Sequence, residues 1–113
     1  MSNEHPNAKI EEERTAAENA KAVLGWLTPK NARTDRIIFI LRYAANVATT
    51  AALIRGLESK KALNARRGES TSSLNAVCSL LDKRILTQDA IDQANRAVGA
   101  WLSALPAGGR STS

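Results

Sequence analysis

One stretch limits what this chain can become. Asp35 to Leu57, DRIIFILRYAANVATTAALIRGL, is its longest apolar run, and the periodicity is helical. At about 100° per residue, Asp35, Arg42, Asn46, Thr49 and Thr50 fall on one narrow strip, with Phe39, Leu53 and Leu57 within or beside it. The remaining arc, roughly 220° wide by the same arithmetic, is apolar except for Arg55, which can snorkel outward near the end. A helix on the outside of a bundle needs an apolar face only about 100° wide. This one calls for cover on two or three sides. Ala44, Ala48 and Ala52 recur at every fourth position, and small side chains let a neighbouring helix approach to ~8 Å.

Ile37 to Ile54 is also about as long as the shortest membrane span. Arg42 and Asn46 inside it argue for a buried bundle helix instead, since arginine at mid-membrane costs ~2.5 kcal/mol or more. The remaining composition agrees with a helical, water-soluble chain. Only four aromatic residues contribute to the core of these 113 residues, so that core is aliphatic and alanine-rich, which favours helix on helix. No stretch alternates over strand length. The length fits one domain.

The single cysteine, Cys78, excludes an internal disulfide and any multi-cysteine metal site, and fits a reducing, cytoplasmic setting. The first residues, MSNEHPNAKIEEER, are polar and acidic, unlike a signal peptide.

Taken in order, residues 1–7 read as a flexible N-terminus and Asn7 as the cap of a first helix, Ala8 to Leu27. Ile10, Ala17, Ala20, Leu24 and Leu27 share its buried face. Glu11, Glu12 and Glu13 suit its N-terminal dipole as a solvated run. Thr28-Pro29 breaks it, and Thr34 is the candidate cap of the next helix. Gly56 leaves two readings open: a break, or a helix continuing through LESKKALNARR to about Arg66. RGEST, Arg67 to Thr71, reads as a loop. Ser70, Thr71 or Ser72 then caps a third helix whose seam is Leu74, Val77, Cys78, Leu81 and Ile85. Thr87 caps a fourth, with Ile91, Ala94, Val98, Trp101 and Leu105 facing inward, and Pro106 ends it. Residues 106–113 read as a flexible tail. The expected fold is therefore all-α: a compact bundle of four helices, five if the middle one is cut, around a central hydrophobic helix, spanning 8–105. AENAKAVLGWLT and DQANRAVGAWLS share A-V-x-x-W-L, with Trp26 matching Trp101: the echo reads either as two equivalent helices flanking the central one, each presenting a Trp near its C-terminus, or, the favoured reading, as chance similarity between two alanine-rich helices.

Signals for catalysis are sparse. His5 is the only histidine and sits in the N-terminal segment, away from Cys78 and from any serine–carboxylate arrangement. No metal-ligand spacing and no phosphate-cradling glycine loop occur, so no cofactor is expected. The charge is the better lead. Net charge is +5, and residues 25–69 hold nine basic against three acidic groups. The candidate contact residues are Lys30, Arg33, Arg36, Lys60, Lys61, Arg66 and Arg67. They suit an acidic protein, a nucleoprotein or nucleic-acid phosphates. An unbroken helix from 35 to 66 would hold its two basic groups ~45 Å apart; a kink at Gly56 would bring them nearer.

These features lead to one expectation: a non-enzymatic binding protein acting as regulator, adaptor or inhibitor of a protein or nucleoprotein complex. Phage- and plasmid-encoded anti-defence proteins, anti-CRISPRs among them, are chains of this kind. The alternative is an accessory nucleic-acid-binding protein using the same basic residues on phosphates. The width of the apolar arc also points to self-association, because three short helices offer it little cover.

Overall fold

The computed structural model describes residues 6–30 and 35–106. It contains α1 (Pro6–Trp26), α2 (Asp35–Arg55), α3 (Lys61–Asp82) and α4 (Gln88–Ala104), the all-α bundle that the patterning predicts. α1 packs on α2, α2 on α3, α3 on α4, and α4 returns to α1. The helices thus stand at the corners of a square, and the molecule measures 45 × 25 × 25 Å. Neighbours run antiparallel: Arg42 near the start of α2 pairs with Asp82 at the end of α3 at 2.8 Å, and Thr49 meets Thr71 at 3.2 Å.

Side-chain size decides how the square closes. α2 buries Ile37, Leu41, Ala44, Ala45, Ala48 and Ala51, so its inner face is mostly alanine and α1 and α3 come close to it. Larger groups opposite fill the middle: Leu24, Leu74, Val77, Ile91, Val98 and Trp101 are all buried. α4 follows its expected seam throughout. Thr87 caps it, its hydroxyl accepting from the Ala90 amide at 3.2 Å, and Asp89 stands in its first turn.

The boundaries around α3 differ from the expected ones. α2 does stop at Gly56. A Cβ there would lie 2.2 Å from the Ala52 carbonyl oxygen, so only glycine permits this turn, which is closed by Glu58 N–H on the Arg55 carbonyl at 3.1 Å. The chain after the turn belongs to α3, which runs straight through the RGEST segment. Hydroxyl side chains that cap helices elsewhere bond here within the bundle. Thr71 donates to the Arg67 carbonyl at 3.0 Å, and Ser70 to the Ala97 carbonyl of α4 at 3.1 Å. One helix consequently absorbs what the sequence suggests are two, and the total remains four.

α3 ends in a Schellman motif: Ile85 N–H reaches the Leu80 carbonyl at 2.9 Å and Arg84 N–H the Leu81 carbonyl at 3.0 Å. This turns Ile85 outward, where it is exposed, and removes it from the seam assigned to it. Asn7 lies inside α1, which begins at Pro6, a residue suited to a first helical position. The readings of Thr34 as a cap, and of 1–5 and 107–113 as flexible, lie outside the described residues.

Arg84 sits at φ 62°, a left-handed conformation that costs a non-glycine residue ~1 kcal/mol. Arg84→Gly should therefore raise the unfolding free energy by roughly 0.5–1 kcal/mol, measured by urea denaturation followed by circular dichroism.

Candidate binding surfaces

The most concentrated chemistry in the molecule lies inside it. Glu13 of α1 and Arg67 of α3 are each 1% exposed. Arg67 donates to both Glu13 oxygens, Nε to Oε2 at 2.7 Å and Nη2 to Oε1 at 2.9 Å. Arg55 of α2 donates to Oε1 at 2.6 Å, and the Trp101 indole of α4 to Oε2 at 2.7 Å. The remaining Arg67 nitrogen donates to Ser59 Oγ at 2.7 Å, and Ser59 in turn donates to the Arg55 carbonyl. One carboxylate thus accepts four hydrogen bonds from three helices. With both oxygens fully engaged, it is held as a structural anchor rather than as an accessible base.

This overturns three expectations. Glu13 is not part of a solvated acidic run. Arg55 does not snorkel; its guanidinium turns inward to Glu13. Arg67 is not a surface contact. The register carried the signal. Glu13 fills the gap in the α1 seam Ile10, Ala17, Ala20, Leu24. Arg67 sits between Leu63 and Ser70 on the α3 seam. Opposite charges at apolar positions of two neighbouring helical faces are what a buried pair looks like in sequence.

The other basic candidates remain outside. Lys30, Arg36, Lys60, Lys61 and Arg66 are exposed, with Arg66 paired to Glu69 at 3.2 Å; Arg33 lies outside the described residues. Lys30 and Arg36 stand at one end of the bundle, where exposed Lys83 and Arg84 join them. Lys60, Lys61 and Arg66 stand at the other, because α3 begins where α2 ends. The break at Gly56 does not bring the two groups together. α2 alone holds them ~30 Å apart.

The outer face of α2 is the larger anomaly. Among the described residues seven large hydrophobic side chains are exposed, and five belong to α2 or the turn after it: Phe39 (67%), Tyr43 (42%), Leu53 (81%), Ile54 (70%) and Leu57, which is fully exposed. α1 and α3 cover only the alanine side, so the wide arc is half used. Phe39 and Tyr43 stack with ring centroids 6.2 Å apart. The Tyr43 hydroxyl donates to Glu12 at 3.2 Å; partial burial, with Glu12 beside it, raises its pKa. A groove of about 330 Å³ runs between α1 and α2 along Tyr43, Asn46, Val47, Thr50 and Ile54. α2 is also the one helix among the described residues long and apolar enough to cross a membrane, although a third of its apolar window is buried in the bundle.

The repeated A-V-x-x-W-L pattern does not mark equivalent sites, since Trp26 is half exposed and Trp101 is buried. Cys78 packs in the core, and burial pushes its thiol up to about 11, with Arg42 opposing and Asp82 reinforcing the shift. Among the described residues no group of three or more His, Cys, Asp or Glu side chains could hold a metal ion. No family model, curated protein or solved structure matches the chain.

Removing the carboxylate strands two guanidiniums. Glu13→Gln should destabilise the fold by about 3–5 kcal/mol, as expected when one member of a buried ion pair is lost, whereas Glu13→Leu combined with Arg67→Met should recover much of that. Denaturant midpoints of the three proteins check this. The thiol gives a second measurement. A raised folded pKa keeps Cys78 protonated, so that contribution to stability is complete below the unfolded value of ~8.5 and is lost as pH rises towards 11. At pH 8 the native protein should react with a thiol reagent orders of magnitude more slowly than the urea-unfolded chain.

Proposed function

We propose that this is a non-enzymatic binding protein: a rigid helical scaffold that acts as a regulator, adaptor or inhibitor by docking on other macromolecules. The observation that carries the reading is the uncovered face of α2. Contiguous apolar patches of more than a few hundred Å² are rare on chains that have no use for them. Exposed cations stand at both ends of this face, with Arg36 at its start and Lys60 and Lys61 beyond its end. An apolar strip with a charged rim is the usual anatomy of a protein contact. The excess of basic over acidic groups favours an acidic protein or a nucleoprotein as the target. A cytoplasmic setting, and a place among phage or plasmid anti-defence proteins, belong to the same proposal and rest on the chain's composition.

Contact with phosphates through the same residues is the second reading. It is weakened by the separation of the two basic groups, since each end of one molecule offers only a few contacts. Salt separates the two, because phosphate-driven binding must fall with a log–log slope near −0.9 per contact.

The test is charge reversal. A variant carrying Lys30→Glu, Arg36→Glu, Lys60→Glu and Lys61→Glu should keep its helical circular dichroism and lose at least tenfold in affinity for the target captured from source-cell lysate. Unchanged capture by that variant would remove the basic residues from the contact. A steep salt slope with purified DNA or RNA would favour the second reading.

A further inference from the structure

We infer that the outer face of α2 is closed by a second copy of this chain, packed antiparallel about a two-fold axis level with Ala48. The inference rests on reading that face as a docking surface; it names a second copy as the occupant and leaves the basic groups at the ends of the bundle to meet the target.

Spacing comes first. Phe39, Tyr43, Asn46, Thr50 and Leu53 follow one another along α2 at intervals of four and three residues, with Leu57 in the turn just beyond its end, the seam of a left-handed helix pair. Only the inner face of α2 is packed within the bundle, so this second seam lies outside it. Area comes next. Taking a fully exposed large side chain as about 200 Å², Phe39, Tyr43, Leu53, Ile54 and Leu57 at their observed exposures present ~700 Å². A stable protein interface needs ~800 Å² per partner. Val47, Ile40 and the polar seam residues bring the strip to that size.

The order of residues then selects the partner and its direction. Turned end for end about Ala48, the seam meets itself in kind: Phe39 comes level with Leu57 of the other copy, Tyr43 with Leu53, and Asn46 with Thr50. Apolar faces apolar, and the single polar layer at the centre pairs amide with hydroxyl, a device that fixes register. A parallel pair would align the two helix dipoles side by side. The antiparallel pair also lays Lys30 and Arg36 of one copy beside Lys60 and Lys61 of the other, at a cost in like-charge repulsion that salt screens. It thereby joins the two basic groups that a single molecule holds at opposite ends.

Sedimentation velocity of the full chain between 1 and 100 µM is the first experiment. It should show a species of twice 12.1 kDa, and Leu53→Asp with Ile54→Asp should return it to a monomer of unchanged helicity. Both positions are exposed in the single chain, so the substitution spares the core. Cysteine cross-linking in a Cys78→Ala background reads the direction. Mixed Tyr43→Cys and Leu53→Cys chains should couple under mild oxidation, and neither should couple with itself. A wild-type monomer at 100 µM, a dimer that survives the aspartate pair, or self-coupling of either single variant would overturn the inference. Adsorption of a wild-type monomer to phosphatidylglycerol vesicles would also overturn it and assign the face to lipid. A monomer that still captures its target through the basic residues would overturn the dimer while leaving the binding function standing. Unchanged capture by the charge-reversed protein with the dimer intact would do the opposite.

Discussion

The fold turns on a single buried carboxylate. Glu13 receives hydrogen bonds from Arg55, Arg67 and Trp101, so one group on α1 ties the other three helices to itself. Ion pairs inside proteins are costly to desolvate, and their geometry must be good to offset that cost. Here the guanidinium of Arg67 is bidentate and its remaining nitrogen is bound by Ser59. The gain is one of specificity as much as of stability. Alanine-rich helices slide easily past each other, because their surfaces are smooth. A charge that can be satisfied in only one alignment sets the register that alanine leaves loose.

The same smoothness explains why large side chains fall on both the inside and the outside of the molecule. α2 turns its alanines inward, which draws α1 and α3 close, and the bulky groups fill the middle from α1, α3 and α4. Beyond Ile37 and Leu41, its own large residues then have nowhere inside to go. Phe39, Tyr43, Leu53 and Ile54 are pushed to the surface by the tightness of the packing behind them. The uncovered strip and the narrow core are two results of one arrangement.

Much of this can be read from the residues. The class of fold, the α4 seam and its Thr87 cap follow from periodicity and local chemistry. On α1 the pattern is right for Ala17, Ala20, Leu24 and Leu27, but Ile10 is only half-buried, Ala16 is buried beside the expected face, and Glu13 was taken out of the pattern on account of its charge. The errors share a cause: residue type was given more weight than register. Arg67, Ser70 and Thr71 look like a loop when judged by propensity, yet Leu63, Arg67, Ser70, Leu74 and Val77 keep unbroken helical spacing. Leu57 and Ile85 could not be placed from sequence, because their exposure depends on turns fixed by Gly56 and by the left-handed Arg84. The candidate contact residues were half legible. Their charges were evident, but which end of the bundle each occupies depends on where α3 begins.

The contact between the first helix and the last has a consequence for how the protein is made. A ribosome releases α1 long before α4, and until Trp101 and the α4 seam arrive the square lacks a side. Three helices leave Leu24, Leu74 and Val77 open to water along one flank, with Glu13 short of one of its donors. The nascent chain therefore cannot settle piecemeal. The four-sided bundle cannot close before α4 has emerged, and a transcript cut short before α4 would yield a product for proteases rather than a smaller working version.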